Sequence, residues 1–347
     1  MSEPRARVIQ FTGKSEAGSA AFCKRALVTG ANGFIGAALV ARLRQEGIAV
    51  RAVVRRPDPA QQLSGAEIVN ADVRDAAAMR RLVSGCDVVF HVAAVGSGNA
   101  DTQYQVNVRG ACNVAEAAAA VGVTRLVHVS TVAIYGLAVR GVITETQPMQ
   151  PSPRDFYQQS KALGEQAIWQ LAARTGLSVT VVRPAFVYGP RAAIWTAALY
   201  DACCQLPAVP LLPGSAHPIF VADVVDLLLT VAHHPKAVGE VFHASADPAI
   251  PWAEFLGGYA HIAGNRRQVP LSASVLNRLA AAVRPIDALL RLSSQPTDLS
   301  GMLGYVAADL TYSMARARDL LGWEARTSLQ DGMADCARWL HERANSR

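Results

Sequence analysis

The sequence predicts an α/β fold: a doubly wound parallel sheet carrying a smaller, mostly helical lobe. Three observations predict it. From residue 25, short β-branched runs alternate with longer alanine-rich stretches. The strand candidates are continuously apolar, as strands buried on both faces by crossover helices must be. After Arg183 the alternation weakens and prolines crowd between Pro184 and Pro218, the composition of loops and short helices.

In chain order the strand candidates are 26–29, 48–54, 66–70, 88–92, 126–130 and 179–183, each a run of Val, Ile, Leu or Ala bounded by polar residues or glycine. Between them, 33–46, 76–83, 104–121 and 157–175 have helical composition, and 240–244 returns to the sheet. The predicted organisation is a tail over 1–24, a nucleotide-binding core over 25–186 and 218–246, and a substrate lobe built from 187–217 and 247–347. Right-handed crossovers place a ligand crevice at the carboxyl ends of the strands.

The chain has 347 residues, 33 basic against 27 acidic, and the surplus is scattered rather than clustered, so no nucleic-acid partner is expected. No run of 18 uncharged apolar residues occurs, which argues against a spanning helix. The first 24 residues lack the apolar core of a secretory leader and read as a disordered tail. Of six cysteines only Cys203 and Cys204 are neighbours, and no C-x-x-C occurs. Neither a disulfide framework nor a metal site is expected, and a cytoplasmic location follows.

Leu27–Gly36 reads L-V-T-G-A-N-G-F-I-G, a strand, three glycines and the opening of a helix. Gly30 permits the turn, Gly33 lets the backbone approach a pyrophosphate, and Gly36 lets the helix pack close to the strand. Phe34 and Ile35 open that helix, whose N–H groups face the anion. Glycine after a strand also marks plain turns, but this position near the start of an alternating fold points to a Rossmann-type dinucleotide site. The second strand ends at Val54-Arg55-Arg56, with no carboxylate for the ribose hydroxyls of NAD. Arg55 suits a 2′-phosphate, which favours NADP over NAD; a plain strand-end arginine is the alternative.

Tyr157-Gln-Gln-Ser-Lys161 puts a phenol and an ammonium on one helix face. A phenol titrates near ~10, and a neighbouring lysine cation together with an oxidised nicotinamide favours its phenolate, so Lys161 and the cofactor are expected to lower the Tyr157 pKa. The chain has only four lysines against 29 arginines, and a Tyr-x-x-x-Lys spacing arises by chance only about 0.1 times. Upstream, Ser130 and Thr131 end a strand, where a hydroxyl can steady a carbonyl or alkoxide oxygen or simply satisfy nearby backbone.

Taken in order, T-G-A-N-G-F-I-G, Asp72-Val73-Arg74-Asp75, His91-Val92-Ala93-Ala94, Asn107, S-T-V-A-I-Y-G, Y-Q-Q-S-K and Arg183-Pro184-Ala185-Phe186-Val187-Tyr188-Gly189-Pro190 resemble the extended short-chain dehydrogenase/reductase superfamily, with its NAD-dependent epimerases and dehydratases. Leu321-Gly322-Trp323 extends the likeness toward the end of the chain. The resemblance implies Thr131, Tyr157 and Lys161 as catalytic, with Lys161 also on the nicotinamide ribose. It implies Asp72 and Val73 flanking adenine, Ala93 and Ala94 on the cofactor bridge, Pro184 and Val187 beside the nicotinamide, and Asn107 bracing the active-site strands. Relatives pair the 104–121 and 157–175 helices, so a homodimer is expected.

Departures narrow the branch. Val132-Ala133 replaces the Asp-Glu pair of the dehydratases, and neither side chain moves a proton. Ala216 stands where sugar-nucleotide epimerases carry an arginine, with His217 or Arg191 as substitutes and Tyr135 a further substrate candidate. The apolar segment 192–212 suits a hydrophobic ketone or alcohol, or forms lobe core. Residues 275–292 space apolar groups helically around Arg278, Arg284 and Arg291, fitting a packed helix or a weak membrane-surface contact, with Pro285 predicted to interrupt it. The branch closest in pattern is that of dihydroflavonol reductases and 3β-hydroxysteroid dehydrogenases, an NAD(P)-dependent oxidoreductase acting on a small, apolar carbonyl compound or secondary alcohol. A sugar-nucleotide epimerase and a non-catalytic cofactor-binding regulator are the alternatives.

Overall fold

The computed structural model describes residues 23–56, 63–290 and 299–345, with 284–290 and 299 described by backbone alone. The predicted tail, apart from Cys23 and Lys24, lies outside the described residues. Seven strands form one parallel sheet: β1 Arg25–Thr29, β2 Ala49–Val54, β3 Glu67–Asn70, β4 Val88–His91, β5 Arg125–Val129, β6 Val179–Pro184 and β7 Val241–Ala244. Their spatial order is β7-β6-β5-β4-β1-β2-β3, and all six pairings are parallel. The order reverses between β1 and β4, and there the crossover helices diverge to leave a crevice.

Helices cover both faces because alternate strand residues point to opposite sides. Ala26 and Val28 pack with Leu39 and Leu43 of α1 (Phe34–Gln45) and with Leu227 and Leu228 of the helix Val221–His233. Leu27 and Val89 point the other way, toward Met79 of α2 (Ala76–Val83), Val114 and Ala118 of α4 (Ala111–Val121), and Ile168 and Leu171 of α5 (Phe156–Thr175). β4, β5 and β6 are buried along their whole length, each large apolar side chain contributing ~1.5–3 kcal/mol. Asp75 and Asp155 cap α2 and α5, accepting N–H bonds from Ala78 at 2.9 Å and Gln158 at 3.0 Å.

The predicted 104–121 helix begins earlier, with α3 (Ala100–Tyr104), and passes through a π-type turn over Gln105–Gly110 before α4. Such a turn re-aims one side chain, and here Asn107 lies within it. A third cluster, with Phe186, Tyr188, Phe220, Trp252, Phe255, Tyr305 and Tyr312, fills the space beyond the strand ends. Met314, Ala317 and Trp323 instead join the sheet cluster, and the Trp323 indole donates to Asp226 at 2.8 Å. The helix Ala273–Leu290 continues through Pro285, where the sequence predicts a break. Proline removes one i→i−4 bond, and the bonds of the adjoining turns carry the helix past it. No helix among the described residues is long and apolar enough to cross a membrane.

Candidate active site

At the reversal point a cleft of about 360 Å³ opens. Gly30, Gly33, Phe34, Ile35, Gly36, Arg55, Asp72, Val73, Ala93 and Ala94 all line it, and so does Asn32, which the sequence pattern did not single out. Gly30 has φ +66°, and a Cβ on it would lie 2.8 Å from the Ala93 backbone. A Cβ on Gly36 would meet the Gly30 carbonyl. The loop is therefore a cradle that side chains would fill, closed by the Gly33 N–H donating to the Gly30 carbonyl at 2.9 Å. Arg55 is exposed at one end. Asp72 beside it is gripped by the Arg74 guanidinium at 2.8 and 3.0 Å, which holds its carboxyl below the ordinary range with a smaller push from Arg55. A glycine cradle at a helix N-terminus, apolar walls and a basic end fit the pyrophosphate, nicotinamide and adenosine ends of a dinucleotide.

Thr131, Tyr157 and Lys161 do not line this cleft; the Tyr157 ring lies beside Gly96, the residue after the lining Val95. Thr131 follows β5 and accepts from the Ala133 N–H at 3.2 Å, and its hydroxyl lies close enough to the Tyr157 phenol to lower that group's pKa. Lys161, 2% exposed, donates from Nζ to the Val129 carbonyl at 2.7 Å. Burial pushes Lys161 from 10.5 down to about 8, opposed by Glu165. Burial also raises the Tyr157 pKa, against a lowering contribution from the Thr131 hydroxyl and with a further rise from Asp155. The lowered Tyr157 pKa expected from Lys161 and an oxidised nicotinamide together is not produced by the protein by itself, where Lys161 Nζ is held by the Val129 carbonyl and desolvation of the phenolate prevails. A protonated phenol is the form that donates. Ser130 is buried with an Oγ that has no hydrogen-bond partner, a free hydroxyl beside Thr131.

Other predicted residues take different positions. Asn107 braces rather than binds: its amide donates to the Val95 carbonyl and Ser160 Oγ, and its carbonyl accepts the Val95 N–H, each at 2.9 Å. Both amide hydrogens are engaged, leaving none for a cofactor. Pro184 ends β6, and Val187 lies buried in the strand Phe186–Tyr188 that follows. Tyr135, expected toward substrate, is 1% exposed, and Arg183 and His243 share its hydroxyl. His217, expected as a stand-in for arginine, is wholly buried against Phe186 and Tyr312. Burial lowers its pKa to about 4, so it carries no charge for a phosphate at neutral pH. Arg191 is exposed with φ 76°, the one non-glycine residue among the described residues with that backbone.

A family model described as the NAD dependent epimerase/dehydratase family matches residues 26–244, from the glycine loop through Tyr157 and Lys161 to the last sheet strand. The chain belongs to that family. It is 27% identical over 321 residues to a 2-alkyl-3-oxoalkanoate reductase of Stenotrophomonas maltophilia, covering 88% of this chain and 96% of that one. It is 27% identical over 339 residues to 3beta-hydroxysteroid-dehydrogenase/decarboxylase isoform 1 of Arabidopsis thaliana, covering 88% and 77%. The solved structure of MoeE5 in complex with UDP-glucose and NAD superposes with a TM-score of 0.72 at 25% identity, over 92% of this chain and 99% of that one. Family membership accounts for the Rossmann-type core. Glu165 and Arg183 were overlooked as partners of the site, although Glu165 follows Lys161 by four residues, a spacing that brings helical side chains together.

Proposed function

We propose that the chain is an NAD(P)-dependent oxidoreductase that reduces a carbonyl on an apolar substrate to a secondary alcohol, or runs the reverse. The observation that carries this is the gathering of Thr131 at the end of β5, the Tyr157 phenol that its hydroxyl influences, and the buried Lys161 one helical turn on, next to a glycine cradle that suits a dinucleotide. Bound there, the nicotinamide would supply the hydride to the carbonyl carbon. Tyr157 donates its phenolic proton to the oxygen as charge develops, Thr131 donates a hydrogen bond to the same oxygen, and Lys161 stabilises the phenolate left behind. The two relatives named above, a 3-oxoalkanoate reductase and a 3beta-hydroxysteroid dehydrogenase, support an apolar 3-oxo or 3-hydroxy compound as substrate. The aromatic lobe cluster is consistent with that.

The sugar-nucleotide epimerase reading is favoured by the likeness to the UDP-glucose-bound structure. Against it stand Ala216 and the uncharged His217 where a diphosphate partner would be needed. Stoichiometric NADPH oxidation with a 2-alkyl-3-oxo ester supports the reductase; turnover of a UDP-sugar without net cofactor consumption replaces it with the epimerase.

We assign NADP as the preferred cofactor because Arg55 lines the adenosine end of the cleft and no carboxylate ends β2. A charged hydrogen bond is worth ~1.5–3 kcal/mol, so Arg55→Ala raises the KM for NADPH by about 10-fold and leaves that for NADH nearly unchanged. Equal effects on both cofactors would remove the assignment.

A further inference from the structure

Beneath the reacting groups lies buried charge that the proposed chemistry does not use. Glu165 is one helical turn beyond Lys161 on the same face of α5 and has no solvent exposure. Arg183 of β6 grips both of its carboxylate oxygens, from Nη2 at 2.5 Å and from Nε at 3.2 Å. The other guanidinium nitrogen donates to the Tyr135 hydroxyl at 2.5 Å and the Glu145 carbonyl at 3.0 Å. Tyr135 in turn donates to His243 Nε2 at 2.6 Å, and His243 Nδ1 donates to the Ser313 carbonyl at 3.1 Å, a tautomer assigned from these partners.

A buried ion pair is weak evidence for stability, because two apolar side chains of the same shape hold a helix to a strand as well. What an apolar pair cannot supply is a negative charge. We propose that Glu165 is a positioning residue of this site: its carboxylate, one helical turn from Lys161 on the same face of α5 and ion-paired with Arg183, keeps the Lys161 ammonium charged away from water, and Arg183 limits how strongly it does so. This rests on the oxidoreductase reading, in which that ammonium stabilises the Tyr157 phenolate.

The other groups facing Lys161 carry no negative charge that could do the same. Val129 of β5 presents a carbonyl. His91 of β4 and His128 of β5 stack at 5.3 Å; burial lowers His91 to about 3 and His128 well below its ordinary value, so both rings are neutral at pH 7. Tyr157, a turn back on α5, is protonated. With burial drawing Lys161 down to about 8, its ammonium persists below that pH and is lost above it. Removing the carboxylate lowers this pKa further. Removing Arg183 leaves the carboxylate to Lys161 alone and raises it.

These opposite signs give the test. The chain has four lysines, Lys14, Lys24, Lys161 and Lys236, so the full-length protein with ¹³Cε-labelled lysine gives four resonances, and Lys161→Met assigns the one of interest. Its titration is expected about one pH unit lower in Glu165→Gln and about one unit higher in Arg183→Gln, with Glu165→Asp close to the parent. The alkaline limb of kcat for NADPH-driven ketone reduction should move with it. A Lys161 titration unmoved in Glu165→Gln, or displaced the same way in both glutamine variants, overturns the proposal. If Glu165→Gln does not fold, the direction seen in Arg183→Gln decides alone. Because the titration needs no turnover, it stands apart from the oxidoreductase reading, which falls if Tyr157→Phe retains activity or if a UDP-sugar turns over without net cofactor consumption.

Discussion

Tyr157→Phe is expected to lower kcat for ketone reduction by about 10³-fold, within the range typical of a positioned general acid, while NADPH affinity and thermal stability stay near those of the parent. The phenylalanine ring keeps the packing against Gly96, where a Cβ would lie 3.8 Å from the tyrosine ring, so the change removes one oxygen and little else. The effect is large because nothing nearby replaces the proton. Thr131 also accepts the Ala133 N–H, and a hydroxyl without a strong base beside it is a poor acid. Lys161 sits against the Val129 carbonyl. Steady-state NADPH oxidation with a 2-alkyl-3-oxo ester, alongside calorimetric titration of NADPH, checks both halves. A kcat within tenfold of the parent would reassign the proton donor.

Gly30→Val is expected to abolish measurable dinucleotide binding and to lower the unfolding free energy by about 2–4 kcal/mol, from left-handed backbone strain and overpacking together. A β-branched residue at φ +66° is a steric outlier, and its Cβ would lie 2.8 Å from the Ala93 backbone. Relief requires β1 and the chain after β4 to separate, and that movement opens the floor of the cleft. Denaturant melts measure the stability loss, and NADPH fluorescence titration the affinity. A variant that still binds NADPH normally would show that the pyrophosphate lies elsewhere.

Much of the fold was legible because its signals are local. Every sheet strand was placed within one or two residues, since each is an apolar run ended by a polar residue or glycine, and α5 was legible from its alanine-rich composition. The π-type turn at Gln105–Gly110 was not legible, because no local residue pattern marks it and the partners of Asn107 within it, Val95 and Ser160, lie far away in the chain. Pro285 misled for the opposite reason: local propensity predicts a break, and the bonds of the flanking turns outweigh it.

The candidate site divides in the same way. Gly30, Gly33 and Gly36, and the phenol–ammonium pair of Tyr157 and Lys161, were determined by the sequence alone, because their geometry follows from spacing within one turn or one helix. Tertiary structure alone decided that Tyr135 and His217 are buried away from the cleft and that Asn107 is a brace. It alone decided that burial pushes the Tyr157 pKa up in the protein by itself. Solvation and long-range hydrogen bonding set these properties, and they depend on which distant segments close over a side chain. Arg183 and Glu165, eighteen residues apart, meet only once β6 and α5 have packed, and no spacing rule in the chain encodes that contact.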